Sequence, residues 1–153
     1  MVKNEGNWQI FEDLPETVIG QAKWGSSEKD FNLRSLQIAR KFAEDLSKIK
    51  ICIEAAVEAA IFIQNPKSTM EIAGVVHGVR LLCDQHKINC IPVDNRHWKK
   101  YILGKGNLNK QAIKEFTIDK WGDRFSEQDW CDAACIALWI KRRHKGELPN
   151  FEE

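Results

Sequence analysis

The sequence predicts an α/β fold, a mixed β-sheet flanked by α-helices, and three observations carry that prediction. Asn7–Glu12 and Thr17–Trp24 alternate polar and apolar residues around the turn Asp13-Leu14-Pro15-Glu16, the pattern of an antiparallel hairpin. Lys50–Glu54, KICIE, is short, apolar and β-branched, as a strand covered on both faces is, and Ile88–Val93, INCIPV, reads as a further strand. Between and after them lie long segments with apolar residues at helical spacing.

The elements follow in order. Leu33–Ile49 carries Leu36, Ala39, Ala43 and Leu46 on one helical face, with charges on the solvated side. Lys50–Glu54 is expected to end its strand on Glu54. In open α/β sheets, sites collect beyond the carboxyl ends of strands, which singles out Glu54; the plainer reading is a solvated strand end. Glu58 reads as an acid of the connection running from Ala55 to Pro66. Lys67–His86 is a long helix. Its Gly74 and Gly78 each cost up to about 1 kcal/mol relative to Ala, which close approach of another backbone would explain. His77 on that helix reads as packed or exposed. Asn95–Leu103 is a short basic and aromatic helix containing Arg96, His97, Trp98, Lys99, Lys100 and Tyr101. The turn Gly104-Lys105-Gly106 follows, and Asn107 or Asn109 caps a helix that runs to about Trp121. Glu127–Arg143 is the last helix, and positions 146–153 form a frayed tail after a single domain over 1–145.

Composition bounds the function loosely. The chain has 153 residues, 43% hydrophobic and 29% charged, enough for one domain with a core and contrary to wholesale disorder. A formal net charge of +1 leaves nucleic-acid binding to be judged from the distribution of charge. Five cysteines, none in a C-x-x-C pair and all in apolar segments, suit reduced thiols in a cytoplasmic protein. No apolar run reaches the roughly 18 residues of a membrane span.

The final helix holds the most informative chemistry. Asp129 and Asp132 share a face, in a helix that is apolar on nearly every side: Trp130, Cys131, Ala133, Ala134, Cys135, Ile136, Ala137, Leu138, Trp139 and Ile140. Two neighbouring carboxylates repel by about 4 kcal/mol at about 4 Å and an effective dielectric near 20. Burial adds to that cost, and a divalent cation relieves both. The alternative is a dipole-favoured first-turn Asp129 and a lysine-paired Asp132. The second informative stretch is Gly104–Lys110. Free N–H groups at a helix start, with Lys99, Lys100, Lys105 and Lys110 close in sequence, suit a phosphate; the alternative is a capped helix with solvated lysines. The stretch lacks the GxxxxGK[ST] of a nucleotide-binding P-loop.

Taken in order, the segments ICIEAAV, VDNRHWKKYILGKGNLNK and DWCDAACIALW resemble the RuvC-like Holliday junction resolvases of the ribonuclease H-like superfamily, in their short phage and prophage versions. The resemblance runs from about Trp8 to Trp139. It implies a ribonuclease H-like sheet and a metal-dependent, structure-selective endonuclease that nicks branched DNA in recombination, repair or phage DNA processing. It implies Glu54, Asp129 and Asp132 as metal-binding carboxylates, holding two Mg²⁺ or Mn²⁺ ions. It implies Lys110 as the cation offsetting charge at the cleaved phosphate, and Trp98, Lys99, Lys100, Lys105 and Lys110 as DNA contacts. Two symmetric cuts imply a homodimer. The departure is at the start: the family's first strand carries an aspartate, and Met1–Trp8 reads as the tail of that first hairpin, so the sheet is expected to lack its first strand and the chain to be N-terminally incomplete. A non-catalytic branched-DNA-binding protein on the same scaffold is the alternative.

Overall fold

The computed structural model describes residues 2–4, 7–11, 16, 18–49, 54–59 and 66–146. A five-stranded sheet is built from β1 (Val2–Asn4), β2 (Asn7–Phe11), β3 (Val18–Lys23), β4 (Glu54–Glu58) and β5 (Asn89–Val93), in the order β3-β2-β1-β4-β5. β2 pairs antiparallel with β3 and with β1, and β4 pairs parallel with both β1 and β5. The expected hairpin is therefore present. Its turn at 12–15 lies outside the described residues.

Two differences from the sequence reading bear on function. The place of the first strand holds the three-residue β1, which pairs Val2 with Ala56 and Lys3 with Val57 and bridges the hairpin to the parallel half of the sheet. The second difference concerns β4. Positions 50–53 lie outside the described residues, and the described strand starts at Glu54 and runs through Ala55–Val57 to Glu58. Residues 55–58 thus belong to the sheet and not to a connection.

Among the described residues, five helices cover the sheet: α1 (Phe31–Leu46), α2 (Pro66–Gln85), α3 (Asn95–Leu103), α4 (Lys110–Trp121) and α5 (Gln128–His144). The side-chain period of two along β4 divides the core. Ala55 packs with Trp24, Phe42, Leu46, Val79, Cys83 and Ile88, beneath α1 and α2. Ala56 packs with Val93, Trp98, Ile102, Ile113 and Phe125, and with residues of α5. Residues 55–57 are all buried, so β4 is covered on both faces. Gly74 and Gly78 of α2 face α1, where an added Cβ would meet Ser35 at 3.6 Å and Ala39 at 3.7 Å. Those are ordinary contacts with small side chains, so the close approach is real but would admit alanine.

α5 is the central helix of its layer. Cys131 and every residue from Ala133 to Ile140 are buried, as its all-round apolar sequence requires. It lies across β1, β2 and β4 and is covered from outside by α3 and α4. No helix among the described residues is long and apolar enough to cross a membrane.

Candidate acidic site beside a basic turn

The candidate site forms where the start of α5 meets the end of β4. Glu54, Ala56 and Glu58 share one face of β4 by the period of two, and Ala56 shows that this face is turned to α5. The two glutamates meet opposite ends of that helix. Oε2 of Glu54 lies 3.3 Å from Nδ1 of His144, in the last turn of α5. Glu58, at the carboxyl end of β4, acts on Asp132 in the first half of α5. Asp132 and His144 are twelve residues apart, about 18 Å along a helix axis. Glu54 therefore stands away from Asp129 and Asp132, and the carboxylate that joins them is Glu58. The site keeps its strand-end glutamate, but the strand ends four residues later than the sequence reading placed it.

Asp132 is the most perturbed acid of the group. Its pKa is pushed up to about 7, first by burial, then by the negative charges of Glu58 and Asp129, against the opposing hydrogen bond from Gln128 and the charge of Lys99. Gln128 Nε2 donates to Asp132 Oδ1 at 2.8 Å, and Asn95 Nδ2 donates to Glu58 Oε1 at 2.5 Å. Among the described residues, no three His, Cys, Asp or Glu side chains converge closely enough to hold a metal ion. The charge balance does suit a divalent cation, since a buried acid raised by two like charges is what such an ion stabilises. Oxygen donors suit Mg²⁺ or Mn²⁺.

The basic rim is built by α3 and the turn after it. Asp94 caps α3, accepting from the Arg96 N–H at 2.8 Å. Gly104 ends the helix at φ 88°, a conformation that favours glycine. A Cβ at Gly106 would press on the Arg96 carbonyl at 3.1 Å. The two glycines thus fold the turn back on α3 and leave Lys105 exposed at its tip. Asn109 caps α4, accepting from the Ala112 N–H at 3.0 Å, and puts the exposed Lys110 at the first helical position. Lys100 is exposed, and Lys99 is half-buried with its ammonium 5.6 Å from the Trp98 ring centroid. Lys99 is the lysine whose charge acts on Asp132.

Trp98 was expected at the DNA surface, but the structure buries it completely between α3 and α5, because it lies on the apolar face of an amphipathic helix. Sequence reasoning missed Glu58, Asn95 and Gln128. The signal for Glu58 was its even spacing from Glu54. Gln128 stands four residues before Asp132, a helical neighbour. Asn95 had no local signal. The thiols of Cys131 and Cys135 are raised by burial, which suits core packing.

Comparison with known proteins agrees with this architecture. The chain is 26% identical over 117 residues to the crossover junction endodeoxyribonuclease RuvC of Brachyspira hyodysenteriae, spanning 76% of this chain and 72% of that one. A structure of Thermus thermophilus RuvC superposes with a TM-score of 0.67 at 16% identity, covering 88% of this chain and 82% of that one. The T. thermophilus RuvC in complex with a Holliday junction substrate gives 0.64 at 13% identity, covering 88% and 83%. No family model matches the chain.

Proposed function

We propose that this chain, RuvC-like in sequence and ribonuclease H-like in fold, is a DNA-junction nuclease of the crossover junction endodeoxyribonuclease type, acting in DNA recombination. The observation that supports this best is the buried Asp132, raised by the like charges of Glu58 and Asp129 near the lysines of α3 and its following turn, on a scaffold like that of a protein seen in complex with a Holliday junction. Glu58, Asp129 and Asp132 would contribute carboxylates to Mg²⁺ or Mn²⁺ only together with phosphate oxygens of bound DNA and water. A divalent ion, when bound, would supply Lewis-acid activation of water and of the phosphodiester. Lys100, Lys105 and Lys110 bind the DNA backbone, and Lys99, whose charge acts on Asp132, offsets charge on the reacting phosphate. Paired cuts across a four-way junction call for two copies. Leu33, Leu36, Met70 and Leu81, each about half exposed or more on α1 and α2, supply apolar surface on the sheet's other side.

The described residues supply fewer converging acids than a tight metal site needs, and that observation favours a second reading, a branched-DNA-binding protein without cleavage. One experiment separates the two. The chain is incubated with a labelled synthetic four-way junction and with a linear duplex, each with Mg²⁺ or Mn²⁺. Metal-dependent nicking of the junction, lost in Glu58→Gln, supports the nuclease. Junction-selective binding without nicking supports the second reading. Equal, salt-insensitive behaviour toward both DNAs excludes both.

A further inference from the structure

We propose that Cys83 and Cys90 form a redox-sensitive thiol pair, which a peroxide closes into a disulfide joining α2 to β5 and a small thiol reopens. The pair lies on the sheet face opposite the acidic site, and the proposal does not depend on the nuclease reading. The fold brings the two residues together. Lys87, at φ 60°, reverses the chain after α2, and the Ile88 N–H donates to the Cys83 carbonyl at 2.8 Å, so β5 starts folded back against the last turn of α2. From there the strand period of two turns Ile88 and Cys90 toward α1 and α2, and Ile91 and Val93 toward α5. Cys90 pairs in register with Ala55 of β4, and Ala55 and Cys83 belong to the buried cluster against which Cys90 packs. The Cys83 side chain hydrogen-bonds with the Cys90 side chain. That contact leads in holding the Cys90 pKa below the ordinary thiol value, against burial and with help from the Arg80 charge. Cys83 is fully buried, whereas Cys90 is half-buried. A partly accessible thiol beside a cation is the reactive kind. Burial instead raises the thiols of Cys131 and Cys135.

The accessible member reacts first. The Cys90 thiolate attacks a peroxide oxygen, the S–O bond forms as the O–O bond breaks, and the released hydroxide takes up the thiol proton as water. The Cys83 sulfur then displaces the hydroxyl of the Cys90 sulfenic acid. The S–S bond forms as the S–O bond breaks, and the hydroxyl leaves with the Cys83 proton as water. Both thiols are oxidised and the peroxide is reduced to water.

The test treats the folded full chain with a slight molar excess of hydrogen peroxide, blocks remaining thiols with iodoacetamide and maps tryptic peptides without reduction. Trypsin cuts after Lys87, between the two cysteines. The expected result is loss of free thiol at Cys83 and Cys90, a peptide pair linked through them, and recovery of both thiols with dithiothreitol. In Cys83→Ala the second thiol is gone, so dimedone should capture a sulfenic acid at Cys90. In Cys90→Ser the Cys83 thiol should stay reduced. The parent's map decides without either variant. A parent that resists peroxide, that forms the bridge only in urea, or whose Cys90 passes to the sulfinic acid without a bridge overturns the proposal.

Discussion

Glu54 Oε2 sits 3.3 Å from His144 Nδ1, and that contact separates the two glutamates of β4. It places Glu54 beside the last turn of α5 and so leaves Glu58 as the β4 acid toward the helix start, where its charge reaches Asp132.

The first prediction uses that separation. Glu58→Gln and Asp132→Asn should each lower metal-dependent junction nicking at least about 100-fold, equivalent to about 2.7 kcal/mol of transition-state stabilisation. Glu54→Gln should leave nicking within about threefold of the parent. Single-turnover cleavage of a labelled four-way junction measures all three. Loss of cleavage in Glu54→Gln with retention in Glu58→Gln would reverse the assignment.

Asp132 gives a stability signature in the metal-free chain. Its pKa is raised from an ordinary carboxyl value to about 7, chiefly by burial. Between about pH 4 and pH 7 the folded state therefore binds more protons at this group than the unfolded state, and stability from this group falls as pH rises through that window. Asp132→Asn should be more stable than the parent at pH 8, by about 1–3 kcal/mol, with the difference vanishing near pH 4. Urea unfolding at the two pH values measures it. Adding Mn²⁺ at pH 8 should stabilise the parent but not the variant.

Glu16 carries the opposite sign. Its carboxylate accepts from Arg142 Nε at 2.9 Å and from Lys120 Nζ at 2.9 Å, while the Trp121 indole N–H donates to its carbonyl at 2.9 Å. The hydrogen bonds from Arg142 lead in holding its pKa down at about 2, with Lys120 assisting against burial. A depressed carboxyl contributes stability above about pH 4.5, and that contribution is lost as pH falls toward 2. Glu16→Gln should destabilise the chain by about 1–3 kcal/mol at neutral pH, since it removes charge-assisted hydrogen bonds between the hairpin and the helices. The penalty should shrink toward zero at pH 2 to 3 in denaturant titrations.

The basic turn predicts a salt dependence. Lys100, Lys105 and Lys110 are exposed around the start of α4. Each lysine that neutralises a phosphate changes the slope of log affinity against log salt by about 0.9 on duplex DNA. The triple alanine variant should therefore flatten the slope for junction binding by about 2 to 3, and leave the thermal midpoint nearly unchanged. Fluorescence anisotropy across a salt series measures the slope, and an unchanged slope would place the DNA elsewhere.

Much of this was determined by the sequence alone. Local chemistry sets helix α3 at Asn95–Leu103 and α4 up to Trp121, because Asn109, Gly104 and the apolar spacing act over a few residues. The apolar surround of Asp129 and Asp132 likewise announced a buried helix with costly acids, and burial and like charge do raise Asp132. Trp98 went wrong because a basic, aromatic helix has two faces, and composition does not say which one the indole joins. What only the tertiary structure decided was the partner of Asp132. Glu54 and Glu58 lie on the same face of one strand, so strand periodicity treats them alike. The choice depends on α5 running antiparallel across β4, a relation between segments more than seventy residues apart, set by packing of the whole layer and not by any local pattern.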